Sequence, residues 1–207
     1  MKLYQTPDSP NCLRVRAVAA ELEIQLSLVN VDTLKGESRT PDFLKLNPNG
    51  KVPVLEDGDF VLWESRSINT YLCSLRPQAK LTPIDEKRRA QVEQWMYWQA
   101  FHLGPAMQKV IFERVIRKMY NLGSPNEKAI EDGLTATHAC FEIFESSLEN
   151  DAWICGQLSV ADFALASTFI YLDRAELDVS KWRKVSSWFE KIQARPSWQW
   201  ATKSLSK

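Results

Sequence analysis

Apolar and polar positions change their rhythm once along this chain. Up to about residue 75, short alternating runs trade places with amphipathic ones. Lys2–Gln5 reads as a short strand, stopped by Pro7 and Pro10. In CLRVRAVAAELE the apolar residues Leu13, Val15, Val18, Ala19 and Leu22 recur at helical spacing. QLSLVNV alternates like a half-buried strand. PDFLKLN, with Pro41 in its first turn, predicts a short helix. VPVLE and FVLW form a hairpin across Asp57-Gly58. ESRSINTYLCSL then places Ile68, Tyr71, Leu72 and Leu75 on one helical face. A strand-helix-strand unit gives a parallel pair and a hairpin gives an antiparallel one. The pattern therefore predicts a mixed four-stranded sheet covered by helices.

Beyond RPQAKLTP the two-residue alternation does not return. The segment DEKRRAQVEQWMYWQAFHLGPAMQKVIFERVIRKMYN is one long helical pattern, and Gly104-Pro105 is expected to kink it. SPNEKAIEDGLTATHACFEIFESSLEN predicts a second long helix with Ser124 as N-cap and Pro125 as first residue. SVADFALASTFIYLDRA is almost wholly apolar and is expected at the centre of a bundle. The expected organisation is an α/β domain over residues 1–77, a linker over 78–86 and an all-α helical bundle domain over 87–207.

Composition narrows the function classes. The 207 residues are 44% hydrophobic, enough for a sizeable core, and 26 basic residues balance 26 acidic ones. No global field draws the chain to nucleic acid or to a membrane surface. The four cysteines and two histidines form no metal-ligand spacing. Together with an opening MKLYQTPDSP too weakly apolar for a signal peptide, they predict a reduced, cytoplasmic protein.

Three stretches carry candidate chemistry. Pro53 has no amide hydrogen, so it belongs at the start of an edge strand, with either a trans or a cis bond. If cis, it frees the N–H and C=O of Val52 for an extended ligand. Glu64-Ser65 stands where a helix begins. Free amides and the Ser65 hydroxyl there suit a carboxylate, and Glu64 suits an ammonium; simple helix capping is the plainer alternative. Ser9-Pro10 fits N-cap followed by first helical residue, and the Ser9 hydroxyl and Asn11 amide are donors that would favour a thiolate over a thiol.

NPNGKVPVLEDG followed by WESRSI resembles the glutathione-site signature of the soluble glutathione transferases. SVADFALA resembles the helix-start box of their second domain, with Ser159 capping, Asp162 reaching back and Leu158 packing on Phe163. The resemblance covers nearly the whole chain. It implies a thioredoxin-like N-terminal domain, glutathione as co-substrate with no other cofactor and no metal, and a homodimer. Val52 would pair with the cysteinyl part of glutathione beside a cis Pro53. Glu64 and Ser65 would hold the γ-glutamyl end, and Arg39 and Lys51 would face the glycine carboxylate. Ser9 resembles the activating hydroxyl of the theta, phi and zeta classes, with Asn11 as second donor. Pro10 and Asn11 depart from the zeta pattern and are closer to bacterial members that reduce disulfides. Cys12 would be packed in the helix or, alternatively, form a mixed disulfide.

The implied reaction conjugates the glutathione thiolate to a small hydrophobic electrophile. Glutathione-dependent disulfide or peroxide reduction, and a non-catalytic binding module, are the alternatives. The electrophile is expected between the domains against the long helix, near Trp98, Phe101, His102, Met107 and Phe112, with Arg114 and Tyr120 further along.

Overall fold

The computed structural model describes residues 1–149 and 152–203. Those residues form two compact units. One comprises Met1–Thr82 together with the chain from Gln193 onward; the other is Pro83–Ile192.

The first unit is built on strands β1 (Lys2–Gln5), β2 (Ser27–Asn30), β3 (Val54–Asp57) and β4 (Phe60–Trp63), in the order β2-β1-β3-β4. β1 and β2 are parallel; β3 runs antiparallel to both β1 and β4. Leu3 pairs with Leu55 and Tyr4 with Val54. Side chains alternate across a sheet, so the first pair serves one face and the second pair the other. On the second face Val54 packs with Val31 and Phe43, the latter on α2 (Pro41–Leu46). α1 (Pro10–Glu21) and α3 (Ser65–Ser74) pack together, burying Leu13, Ala17, Ile68 and Leu72. The mixed sheet and its helices agree with the pattern read from the sequence.

The second unit is helical. α4 (Glu86–Trp98), α5 (Gly104–Ile111) and the short α6 (Arg117–Met119) run on without a break, joined by π-helical turns at Gln99–Leu103 and Phe112–Ile116. The first of these turns ends directly before Gly104-Pro105, where the sequence predicts a kink. Pro105 cannot donate an amide, and its ring would crowd a carbonyl one turn back; a wider turn removes both conflicts. Gly104 is required there, because a Cβ would lie 2.8 Å from the Gln99 carbonyl oxygen.

α7 (Glu127–Ser147) is capped by Asn126, not by Ser124 with Pro125. Asn126 Oδ1 accepts from the Ala129 amide at 3.1 Å, and its own amide donates to Glu113 at 2.8 Å. The expected helix end at Asn150 lies outside the described residues. α8 (Val160–Ala166) is buried throughout, as its composition predicts. The carboxylate of Asp162 accepts from the Ser159 amide and hydroxyl, the Ile154 amide and the indole of Trp188, at 2.9–3.1 Å. Burial pushes this carboxyl upward; the four donors oppose the shift. α9 (Arg183–Gln193) follows.

α10 (Pro196–Thr202) departs from the expected boundaries. It packs along α1 of the first unit, so the predicted 87–207 block is divided near residue 193. The expected linker 78–86 is also shorter. Pro77–Ala79 is a 3-10 turn, Leu81 is buried, and α4 opens at Glu86 behind its N-cap Asp85. The final residues 204–207 of the expected all-α domain lie outside the described residues.

Candidate functional site

In the first unit a cavity of about 150 Å³ is lined by Asn11, Asn47, Lys51, Val52, Pro53, Glu64, Ser65 and Arg66. Six of these were expected from the sequence. The remaining two, Asn47 and Arg66, sit inside the quoted NPNG and ESR motifs but were not singled out.

The wall at Val52-Pro53 follows from the sheet. The peptide bond between them is cis. Ladder pairing begins only at Val54. The amide and carbonyl of Val52 are without partners among the described residues. β3 itself is an inner strand and not the edge strand expected for Pro53, but these two groups just ahead of it are open to an extended peptide. The loop before it is held by the buried Asn47. Its Nδ2 donates to the Lys51 carbonyl at 2.7 Å, and its Oδ1 accepts from the Asn49 amide at 3.0 Å.

Arg39 does not line the cavity. Its guanidinium donates to the Asn49 carbonyl at 3.2 Å and closes on Gly50, where a Cβ would come within 2.7 Å of it. Gly50 has φ +61°, so both space and backbone demand glycine. Arg39 thus braces the loop that carries Lys51.

The opposite wall is the start of α3. Glu64 occupies its N-cap position with φ 70° and ψ 108°, a region few side-chain-bearing residues adopt. Holding it there costs about 1–3 kcal/mol. Ser65 is buried, and its Oγ accepts from Arg14 Nη1 at 3.4 Å. With a lone pair engaged from behind, the hydroxyl proton is free to point at a ligand. Arg14, only 2% exposed, was missed from the sequence because its helical position reads as core. Burial, with Arg66 beside it, pulls its guanidinium well below the usual value. Lys51 and Arg66 against Glu64 give the lining two cations to one carboxylate. That balance suits a ligand with more carboxylates than ammonium groups.

Ser9 is the N-cap of α1 and is not part of this lining; its Oγ accepts from the Cys12 amide at 3.4 Å. Asn11, two residues on, is exposed on the wall. Cys12 is fully buried, accepts from the Thr6 amide at 3.5 Å, and has its thiol pushed up by burial. It is a core residue, as the packed reading expected.

The residues expected around the electrophile differ widely in exposure. Met107 is fully buried in the helical core, which removes it from any pocket wall. Phe101 is 71% exposed, and its ring stacks on Tyr97 at 6.3 Å. His102 is exposed and stacks on half-buried Trp98 at 6.5 Å. Phe112 lies beneath the Arg117 guanidinium. Arg114 is engaged by the carbonyls of Ala175 and Glu176 at 2.8 and 3.0 Å, and Tyr120 is exposed. The 3.6-residue period spreads these rings around the helix.

A mixed four-stranded sheet with a cis proline facing a helix start, followed by an all-α unit, defines a class: thioredoxin-like domains extended by a helical domain. The chain belongs to the glutathione S-transferase family. Residues 1–74 match the family's "Glutathione S-transferase, N-terminal domain" and residues 97–196 its "Glutathione S-transferase, C-terminal domain". It is 34% identical over 204 residues to probable glutathione S-transferase GSTF2 of Oryza sativa subsp. japonica, covering 96% of this chain and 94% of that protein. Its fold is similar to glutathione transferase F7 from Populus trichocarpa, at a TM-score of 0.92 and 27% identity over 100% of this chain and 99% of that one. It is also similar to maize glutathione S-transferase I in complex with an atrazine glutathione conjugate. There the TM-score is 0.90 and the identity 26%, over 99% and 97% of the two chains.

Proposed function

We propose that this protein conjugates glutathione to small apolar electrophiles, binding the tripeptide along Val52 with its γ-glutamyl end at Glu64 and Ser65. The observation that carries this reading is the unpartnered backbone of Val52, just ahead of β3, with a strained Glu64 on the same cavity. Glu64 meets the α-ammonium, and the Ser65 hydroxyl meets the α-carboxylate. Lys51 takes the glycine carboxylate at the other end, over the loop that Arg39 braces. The maize relative is in complex with a conjugate of glutathione and atrazine, which supports glutathione conjugation here.

The Ser9 hydroxyl supplies the activating hydrogen bond. A free thiol has a pKa of about 8.5, and a hydrogen bond to a charged sulfur is worth about 1.5–3 kcal/mol. That is enough to lower the thiol by about one to two units. The thiolate attacks the electrophilic carbon, the sulfur–carbon bond forms as the leaving group departs, and the thiol proton goes to solvent. The side chains assigned to the electrophile are Trp98, Phe101, His102 and Phe112 of the helical unit. Glutathione is the co-substrate, and the exposed Phe60 and Trp63 of β4 suit a homodimer. The free thiols Cys12, Cys73, Cys140 and Cys155 fit the reducing cytoplasm.

Asn11 on the cavity wall favours a second reading, glutathione-dependent disulfide reduction with the Asn11 amide as the donor to sulfur. Two variants separate the readings. Ser9→Ala should raise the acidic limb of the kcat/KM profile with chlorodinitrobenzene by about one to two pH units. An unmoved limb, with Asn11→Ala abolishing mixed-disulfide reduction instead, would favour the reductase.

A further inference from the structure

The loop carrying Ser9 is gripped from inside the fold. Arg16, on α1, is 2% exposed. Its Nη2 donates to the Pro7 carbonyl at 2.9 Å and to the Ala201 carbonyl at 3.1 Å. Its Nε also reaches Ala201, at 3.3 Å, and its Nη1 donates to the side-chain oxygen of Gln5. Pro7 lies two residues before Ser9, between the end of β1 and the start of α1. Ala201 lies in the last turn of α10, where carbonyls have no partner within the helix. The negative end of that helix suits a cation.

α10 is fastened at its other end as well. The Glu21 carboxylate accepts from Arg195 Nε at 3.0 Å and from the Ser197 hydroxyl. The C-terminal helix is therefore tied to α1 at both ends, and one guanidinium joins its far end to the Ser9 loop. Five N–H groups in a rigid fork make this triple grip feasible; a lysine ammonium lacks that geometry.

We propose that Arg16 is a positioning residue for the Ser9 hydroxyl, with the docked C-terminal helix as the second jaw of the clamp. Anchoring α10 alone would need only the bonds to Ala201. The additional bond to Pro7 fixes the backbone from which Ser9 projects, and so sets the direction of its hydroxyl. This inference rests on the reading that Ser9 activates the glutathione thiol.

The test is the pH dependence of kcat/KM, with glutathione and chlorodinitrobenzene, for the wild type, Arg16→Lys, Ser9→Ala and the double variant. Arg16→Lys should lower kcat/KM at neutral pH by about tenfold, the scale of a small misplacement of a catalytic group. It should also move the acidic limb upward. Added to Ser9→Ala, it should cost no more than about twofold, because both act through one hydroxyl. Fully multiplicative losses, or a wild-type profile in Arg16→Lys, overturn the clamp. If Arg16→Lys does not fold, Ser197→Ala loosens α10 with Arg16 intact. It should give the same Ser9-dependent shift at about two- to threefold, and no shift overturns the proposal. A profile that Ser9→Ala leaves unmoved overturns the functional reading itself. A Ser9-dependent profile that the Arg16 and Ser197 variants leave unmoved overturns the clamp alone.

Discussion

At Glu64 the backbone holds φ 70° and ψ 108°, where glycine rests easily and glutamate does not. Glu64→Gly should therefore raise folding stability by about 1 kcal/mol, the relieved strain outweighing the added freedom of the unfolded chain. It should also raise KM for glutathione at least about tenfold, because the carboxylate we propose for the ammonium is gone. Urea unfolding and steady-state kinetics read the two effects separately; a destabilised Glu64→Gly would refute the strain argument. At this scale the sequence was most legible where a side chain's chemistry dictates its place. Lys51, Val52, Pro53, Glu64, Ser65 and Asn11 all reached the cavity. Arg66 and Arg14 were not foreseen, because helical spacing does not say which cation turns inward. Met107 was misassigned for the same reason: one period serves a pocket wall and a core equally well.

Glu113 shows how elements of the second unit are fixed from outside themselves. It is 6% exposed, lies in the second π-helical turn, pairs with Arg117 and accepts from the Asn126 amide. That amide, followed by Arg117, holds the carboxyl below its ordinary value near 4.5. A carboxyl depressed in the fold contributes fully above its unfolded value, and that contribution is lost as pH falls through the folded one. The urea midpoint of the wild type should therefore exceed that of Glu113→Gln at pH 7. The two should converge as pH drops below about 4.5. A gap that persists into acid would show that the charge plays no part. The same contact explains why α7 starts at Asn126 and not Ser124, since its cap is completed by a residue thirteen positions upstream. Sequence rules for helix starts see only local partners. Helix existence was legible in this unit, but the two π-helical turns were not. Pro105 announced a disturbance of the long helix without specifying its form.

Across the whole molecule, the change from alternating to helical period correctly separated two kinds of structure. The pattern could not disclose that the final helix returns to the first unit. PSWQWATK announces an apolar face without naming what covers it. Trp198, 3% exposed, is the anchor of that return. Trp198→Ala should cost about 3–5 kcal/mol of stability, a large part of the usual 5–15 kcal/mol of a folded chain. The loss should appear in the exchange of amides in α1 as well as α10. Exchange confined to α10 would mean the helix is merely laid on the surface.

Since residues 1–82 are sealed by residues from 193 on, the portion of the chain born first is completed last. A polypeptide still being synthesised has, on α1, an arginine waiting for a carbonyl that has not yet been made. Synthesis of residues 193–203, not of the first eighty, is then the step that supplies this unit with its last helix.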